Sequence, residues 1–135
     1  MFIYNTIVHL KDTDATGVLY FAQQFSMALK TWEGFLAYSG LSLGEILTTA
    51  DYLMPIVHAE ADYKAPLSVG DRLEIDVAVE KIGTTSFSTR YRLMKDGALA
   101  GTVNLVHVTV SRANKEPIPI PKNLLDLLQA STPTL

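Results

Sequence analysis

The chain has no cysteine. Disulfides, thiolate catalysis and cysteine-ligated metal are excluded together. It has no basic run either: 11 lysines and arginines face 14 aspartates and glutamates, for a net charge of −3. A nucleic-acid surface needs the opposite balance. No apolar stretch approaches the ~20 residues that cross a bilayer. The start, Met1-Phe2-Ile3-Tyr4-Asn5, lacks the charged region and apolar run of a secretory signal. The expectation is a cytoplasmic protein with no membrane span and no nucleic-acid partner. Charged residues are scarce at 19%, while hydrophobic residues make up 48%. That composition supplies a core and argues against disorder. At 135 residues, a single domain over 1–135 is expected.

Phe2 to His9 reads as a first strand, ended by Lys11-Asp12. After Gly17 comes the clearest helix. Phe25, Leu29, Trp32 and Leu36 recur at spacings of four, three and four, and Ala22, Ala28 and Phe35 widen the stripe. So wide a stripe predicts burial on more than one side. Ser39-Gly40 ends this helix, and Ser42-Leu43-Gly44-Glu45 has the spacing of a capping box that starts a short second one through Leu47. Asp51 to Tyr63 is β-leaning, with Pro55 at an edge or bulge. Leu73, Ile75, Val77 and Val79 alternate with polar neighbours, as do Phe87, Thr89, Tyr91 and Leu93. Asp96-Gly97 predicts a two-residue hairpin into Ala98 to Ser111, where the phase shifts between Leu105 and Val106. A proline-rich exit then leads to a short helix over Asn123 to Gln129. Strands do not alternate with helices, which argues against a parallel doubly wound sheet. The expected class is α+β, an antiparallel sheet curled around one long helix.

The chemistry-bearing stretch is Asp12-Thr13-Asp14-Ala15-Thr16-Gly17, between the first strand and the long helix. A carboxylate there stands near the amide-rich start of a helix, a junction suited to work on a carbonyl or a phosphate. The letters also match the D-x-D-x-T motif of haloacid dehalogenase-like phosphatases, with Gly70-Asp71 and Asp76 echoing their magnesium-binding element. That chemistry sits at the end of a parallel sheet, which the element order does not supply. Asp12, Asp14, Thr16 and Gly17 also fall on the first, third, fifth and sixth positions of a calcium-binding loop. The twelfth position is Gln23 rather than glutamate, and a strand precedes the loop. The plainest reading is a structural turn, with Asp and Thr capping backbone amides and Gly17 taking a dihedral other residues avoid. For Asp12 that reading is preferred.

Asp12 to Phe21, followed by the aromatic-rich helix, resembles the 4-hydroxybenzoyl-CoA thioesterase family of hotdog-fold proteins. The similarity continues through Met54-Pro55-Ile56-Val57-His58-Ala59, Asp62-Tyr63-Lys64-Ala65-Pro66, Val69-Gly70-Asp71-Arg72-Leu73, and Ser86-Phe87 with Arg90. Within that family, Leu53 to Ala59 and Tyr20-Phe21 with Gln23 are most similar to the cyanobacterial 1,4-dihydroxy-2-naphthoyl-CoA thioesterases of phylloquinone synthesis. The resemblance implies a hotdog fold and hydrolysis of an aromatic acyl-CoA. It implies Asp14 as the catalytic carboxylate, attacking the thioester carbonyl or activating water. It implies backbone amides around Tyr20 and Phe21 as oxyanion donors, the family position falling on Phe21. It implies a homodimer or homotetramer with active sites at the subunit interface, and neither metal nor cofactor.

His58, Trp32 and Phe25 are candidate pocket walls, each with a structural alternative as a core or interface residue. His9 and His107 have no metal-ligand spacing and read as structural. Gly83-Thr84-Thr85 stands where some family members carry a basic cluster, so CoA phosphates would turn to Arg90, Arg92, Lys64, Lys81 or Arg112. Leu29-Lys30 replaces a mid-helix glutamate. Alternatives are a 4-hydroxybenzoyl-CoA or short-chain acyl-CoA thioesterase, and a non-catalytic acyl-CoA-binding hotdog protein.

Overall fold

Strand β1 runs over Ile3–Ile7, shorter than the expected Phe2 to His9. The computed structural model to which it belongs describes residues 2–131. A 3-10 turn over Leu10–Asp12 follows. Then come α1 (Gln23–Tyr38), α2 (Leu43–Thr49), β2 (Tyr52–Leu53), β3 (Ile56–Tyr63), β4 (Arg72–Ile82), β5 (Ser86–Lys95), β6 (Ala98–Val108), β7 (Val110–Ser111) and α3 (Lys122–Ala130). The main sheet has the order β1-β4-β5-β6-β3. β1 lies antiparallel to β4, with Ile3 opposite Asp76 and Ile7 opposite Arg72. β2 and β7 form a separate antiparallel pair.

Local chemistry explains the boundaries. Asp96 and Gly97 both take positive φ, 50° and 78°, as the tight turn between β5 and β6 requires. Helix α1 ends where the Leu41 N–H donates to Leu36 O and the Gly40 N–H to Ala37 O, with Gly40 at φ 86°. That is a Schellman closure, and it needs a residue without a Cβ. The Ser42 hydroxyl accepts from the Glu45 N–H and starts α2. Asp51 to Tyr63 is not one strand. It breaks at Met54-Pro55 into β2 and β3 because proline cannot donate to a ladder.

Two patterns differ from expectation. The buried residues of α1 are Gln24, Met27, Ala28, Thr31, Trp32, Phe35 and Leu36, a single face, while Leu29 is 43% exposed. The helix is thus turned from the stripe through Phe25 and Leu29. Two polar residues share the buried face because each has its hydrogen bonds met there. The Thr31 hydroxyl donates to Met27 O, and Gln24 donates to two carbonyls described below. In β6 the alternation Val103, Leu105, His107 continues inward without a shift at Val106. The His107 ring stacks on Phe87 at 4.8 Å, and its Nδ1 lies 3.1 Å from Met54 O. Burial holds this imidazole below its ordinary pKa, against the opposing pull of the Met54 carbonyl.

The chain packs into two compact units. One comprises Met1–Phe35, Glu60–Val77 and Tyr91–Val103. Its core includes Val8, Trp32, Phe35, Leu73, Ile75 and Tyr91. The other comprises Leu36–Ala59, Ala78–Arg90 and Asn104–Leu135, with Leu36, Ile46, Phe87, Leu105 and Leu124 at its centre. Among the described residues no helix is long and apolar enough to cross a membrane.

Candidate active site

The acidic loop is a small hydrogen-bonded hairpin. Its near arm is tied down by Asp12, whose carboxylate accepts the His9 N–H at 2.9 Å and the Lys11 ammonium at 2.9 Å. Asp12 is 4% exposed. Burial pushes its carboxyl up, but the His9 amide and Lys11 outweigh that and hold it below the usual carboxylate range. Across the loop, the Tyr20 N–H donates to Asp12 O at 2.8 Å and the Asp14 N–H to Val18 O at 3.0 Å, with Thr13 bridged to Leu19. The Gly17 N–H closes the tip onto Asp14 O, and its φ of 83° is one a side chain would resist. The far arm is pinned in turn by the Leu19 N–H to Leu67 O. These bonds keep residues 18–20 extended, so α1 starts only at Gln23.

Asp14 is exposed at the tip of this frame. Its Oδ1 accepts from both the hydroxyl and the N–H of Thr16. The hydroxyl first, and then the amide, hold its carboxyl below the usual carboxylate range. Among the described residues no other residue donates to Oδ2. Asp14 is therefore ionised at neutral pH, with both of its bonds from Thr16 on Oδ1.

The two candidate oxyanion amides separate. The Tyr20 N–H is already used by Asp12 O, so it has no free hydrogen to offer an oxyanion. The Phe21 and Ala22 amides have no acceptor among the described residues. They are orphan donors of the first turn, whose carbonyls Tyr20 O, Phe21 O and Ala22 O accept from Gln23, Gln24 and Phe25. The Tyr63 hydroxyl adds a second bond to Phe21 O at 2.8 Å, which fixes the plane of the Phe21–Ala22 peptide.

A cavity of about 290 Å³ adjoins the loop, lined by Val18, Leu19, Gln24, Tyr63, Lys64, Ala65, Pro66 and Leu67. Hollows of about 370 and 430 Å³ lie elsewhere but include no residue of the loop. None of the three expected pocket walls lines this cavity. Trp32 is 3% exposed and stacks on Phe35 at 5.8 Å, a core position. Phe25 is half-buried, and His58 lies exposed on β3. Gln24, by contrast, was invisible to sequence reasoning, because glutamine at a helix start reads as solvated until the buried face is known. Of the five cations, Arg92 grips Asp76, Arg90 pairs with Glu80, and Arg112 donates to Ala50 O and Ile46 O. Lys64 lines the cavity. No cluster of three or more metal-ligating side chains occurs among the described residues.

Residues 8–128 match the family model of the thioesterase-like superfamily. A 1,4-dihydroxy-2-naphthoyl-CoA hydrolase of Synechococcus elongatus is 34% identical over 127 residues, covering 93% of each chain. One of Prochlorococcus marinus is 35% identical over 127 residues, covering 89% of this chain and 85% of its own. The crystal structure of a 1,4-dihydroxy-2-naphthoyl-CoA thioesterase from Synechocystis superposes with a TM-score of 0.89 at 29% identity, covering 95% of each chain. The loop, the element order and these likenesses agree: the chain belongs to the thioesterase-like superfamily and has its α+β hotdog fold.

Proposed function

We propose that this protein hydrolyses an aromatic acyl-CoA thioester, with 1,4-dihydroxy-2-naphthoyl-CoA as the best single substrate, and does so in the cytoplasm as a homodimer or homotetramer. The observation that carries the reading is one loop holding an ionised, half-free carboxylate at its tip and the unused Phe21 N–H at its far end. The substrate is supported by the activity named for the cyanobacterial relatives. Asp14 has two routes open to it, direct attack on the thioester carbonyl and activation of a water, and the Oδ2 left outside the Thr16 bonds suits direct attack. Its oxygen adds to the thioester carbonyl, the Phe21 N–H stabilises the oxyanion, and collapse breaks the C–S bond and expels CoA thiolate. Water then hydrolyses the mixed anhydride and regenerates the carboxylate. No step needs a metal or a cofactor. Residues 1–135 act as one hotdog domain in this reading.

The test is thiol release from a panel of dihydroxynaphthoyl, 4-hydroxybenzoyl and short aliphatic CoA esters. The aryl esters are expected to turn over, and Asp14→Asn to lose at least ~100-fold of that rate. Binding without turnover across the panel would instead mark a non-catalytic acyl-CoA-binding protein.

A further inference from the structure

We infer that Gln24 is a specificity-determining residue, whose carboxamide oxygen accepts a hydrogen bond from a ring hydroxyl on the substrate's acyl group. The inference rests on the thioesterase reading and adds the group by which the acyl moiety is selected. Gln24 is 1% exposed and lines the cavity beside the loop. Its Nε2 donates to Asp62 O at 2.9 Å and to Thr102 O at 3.0 Å. Both partners are carbonyls and can only accept, so the nitrogen must face them and the assignment of N and O follows from the chemistry. Both amide hydrogens are then spent.

The carboxamide lies against Gly101. A methyl group there would come within 2.6 Å of Nε2, 2.8 Å of Oε1 and 3.0 Å of Asp62 O. Two carbonyls and the close backbone of Gly101 hold the group in this orientation. No donor among the described residues reaches Oε1. Most of the remaining lining is apolar, from Val18, Leu19, Ala65, Pro66 and Leu67; Lys64 is its one charged residue, and the Tyr63 hydroxyl is committed to Phe21 O. A neutral acceptor in a mostly apolar lining suits a neutral donor. An unsubstituted ring would leave Oε1 desolvated and unpaired, the situation in which a site rejects a substrate lacking the matching group. The Gln24 N–H itself bonds to Phe21 O, which places this acceptor within one turn of the proposed oxyanion donor.

The experiment compares kcat/KM for 2-naphthoyl-CoA with its 1-hydroxy, 4-hydroxy and 1,4-dihydroxy derivatives, each corrected for its hydroxide-catalysed rate, in the wild type and in Gln24→Met. The wild type is expected to prefer at least one hydroxylated ester by ~10-fold or more, and the variant to lose at least ~10-fold more on that ester than on 2-naphthoyl-CoA. Equal losses on all esters overturn the inference and point to a role at the reacting carbonyl or its water. Should the variant fail to fold, the wild-type series decides: turnover with no hydroxyl preference overturns the inference alone. Absence of turnover on every aryl ester overturns the thioesterase reading beneath it.

Discussion

Thr16 sets the ionisation of Asp14, the proposed catalytic carboxylate, more than any other residue. Its hydroxyl and amide both reach Oδ1, and their joint effect is to keep the carboxylate ionised below the pH at which an ordinary aspartate protonates. The sign of a pH effect follows. Activity that needs ionised Asp14 falls on the acid side as pH drops through its pKa. Thr16→Val removes the hydroxyl bond, which raises that pKa and moves the acid limb of kcat/KM to higher pH. A pH–rate profile of the variant checks this, and an unmoved limb would show that Asp14 is not the group titrating. The two aspartates of the loop also part at this scale. Asp12 is buried and spends its carboxylate on His9 and Lys11, so it shapes the near arm, as the turn reading held. A capping role for Asp and glycine chemistry at residue 17 were legible because both are local. That the Tyr20 amide is spent on Asp12 O, leaving Phe21, was not legible, since it depends on which carbonyl the folded loop presents.

At the scale of elements, α1 shows where periodicity misleads. Counting apolar residues placed the stripe through Phe25 and Leu29, yet Gln24 and Thr31 lie on the buried face. Burying a polar side chain is tolerated when its hydrogen bonds are met, and no count of apolar residues detects that. The same blindness misplaced the phase of β6, where His107 rather than Val106 faces inward. The meeting of α1 with β3 and β6 gives a direct test. Gly101→Ala drives a methyl group into the Gln24 carboxamide and Asp62 O. The expected cost is about 1–3 kcal/mol by urea denaturation, the range for overpacking a close contact. Unchanged stability would mean that the carboxamide is free to move aside.

For the whole molecule, the exposed edge is the telling feature. β3 ends the main sheet and is exposed at every position but Ala61, with Val57 59% and Tyr63 50% exposed. An edge strand of this length carrying apolar side chains is a pairing surface unless blunted. The wild type is expected to run as an oligomer by light scattering after size exclusion, and Val57→Lys to shift it toward the monomer. A monomeric wild type would remove the interface from the proposed function.

The sequence by itself determined the α+β class, the hairpin turn at Asp96-Gly97, the helix stop at Gly40 and the acidic loop, since each depends on a few adjacent residues and their intrinsic dihedrals or spacing. Only the tertiary structure decided which amide remains free, which face α1 buries and that Gln24 stands in a cavity. Those outcomes turn on hydrogen-bond partners up to 78 residues away, as between Gln24 and Thr102, and a pairing at that separation leaves no mark on the local pattern of the chain.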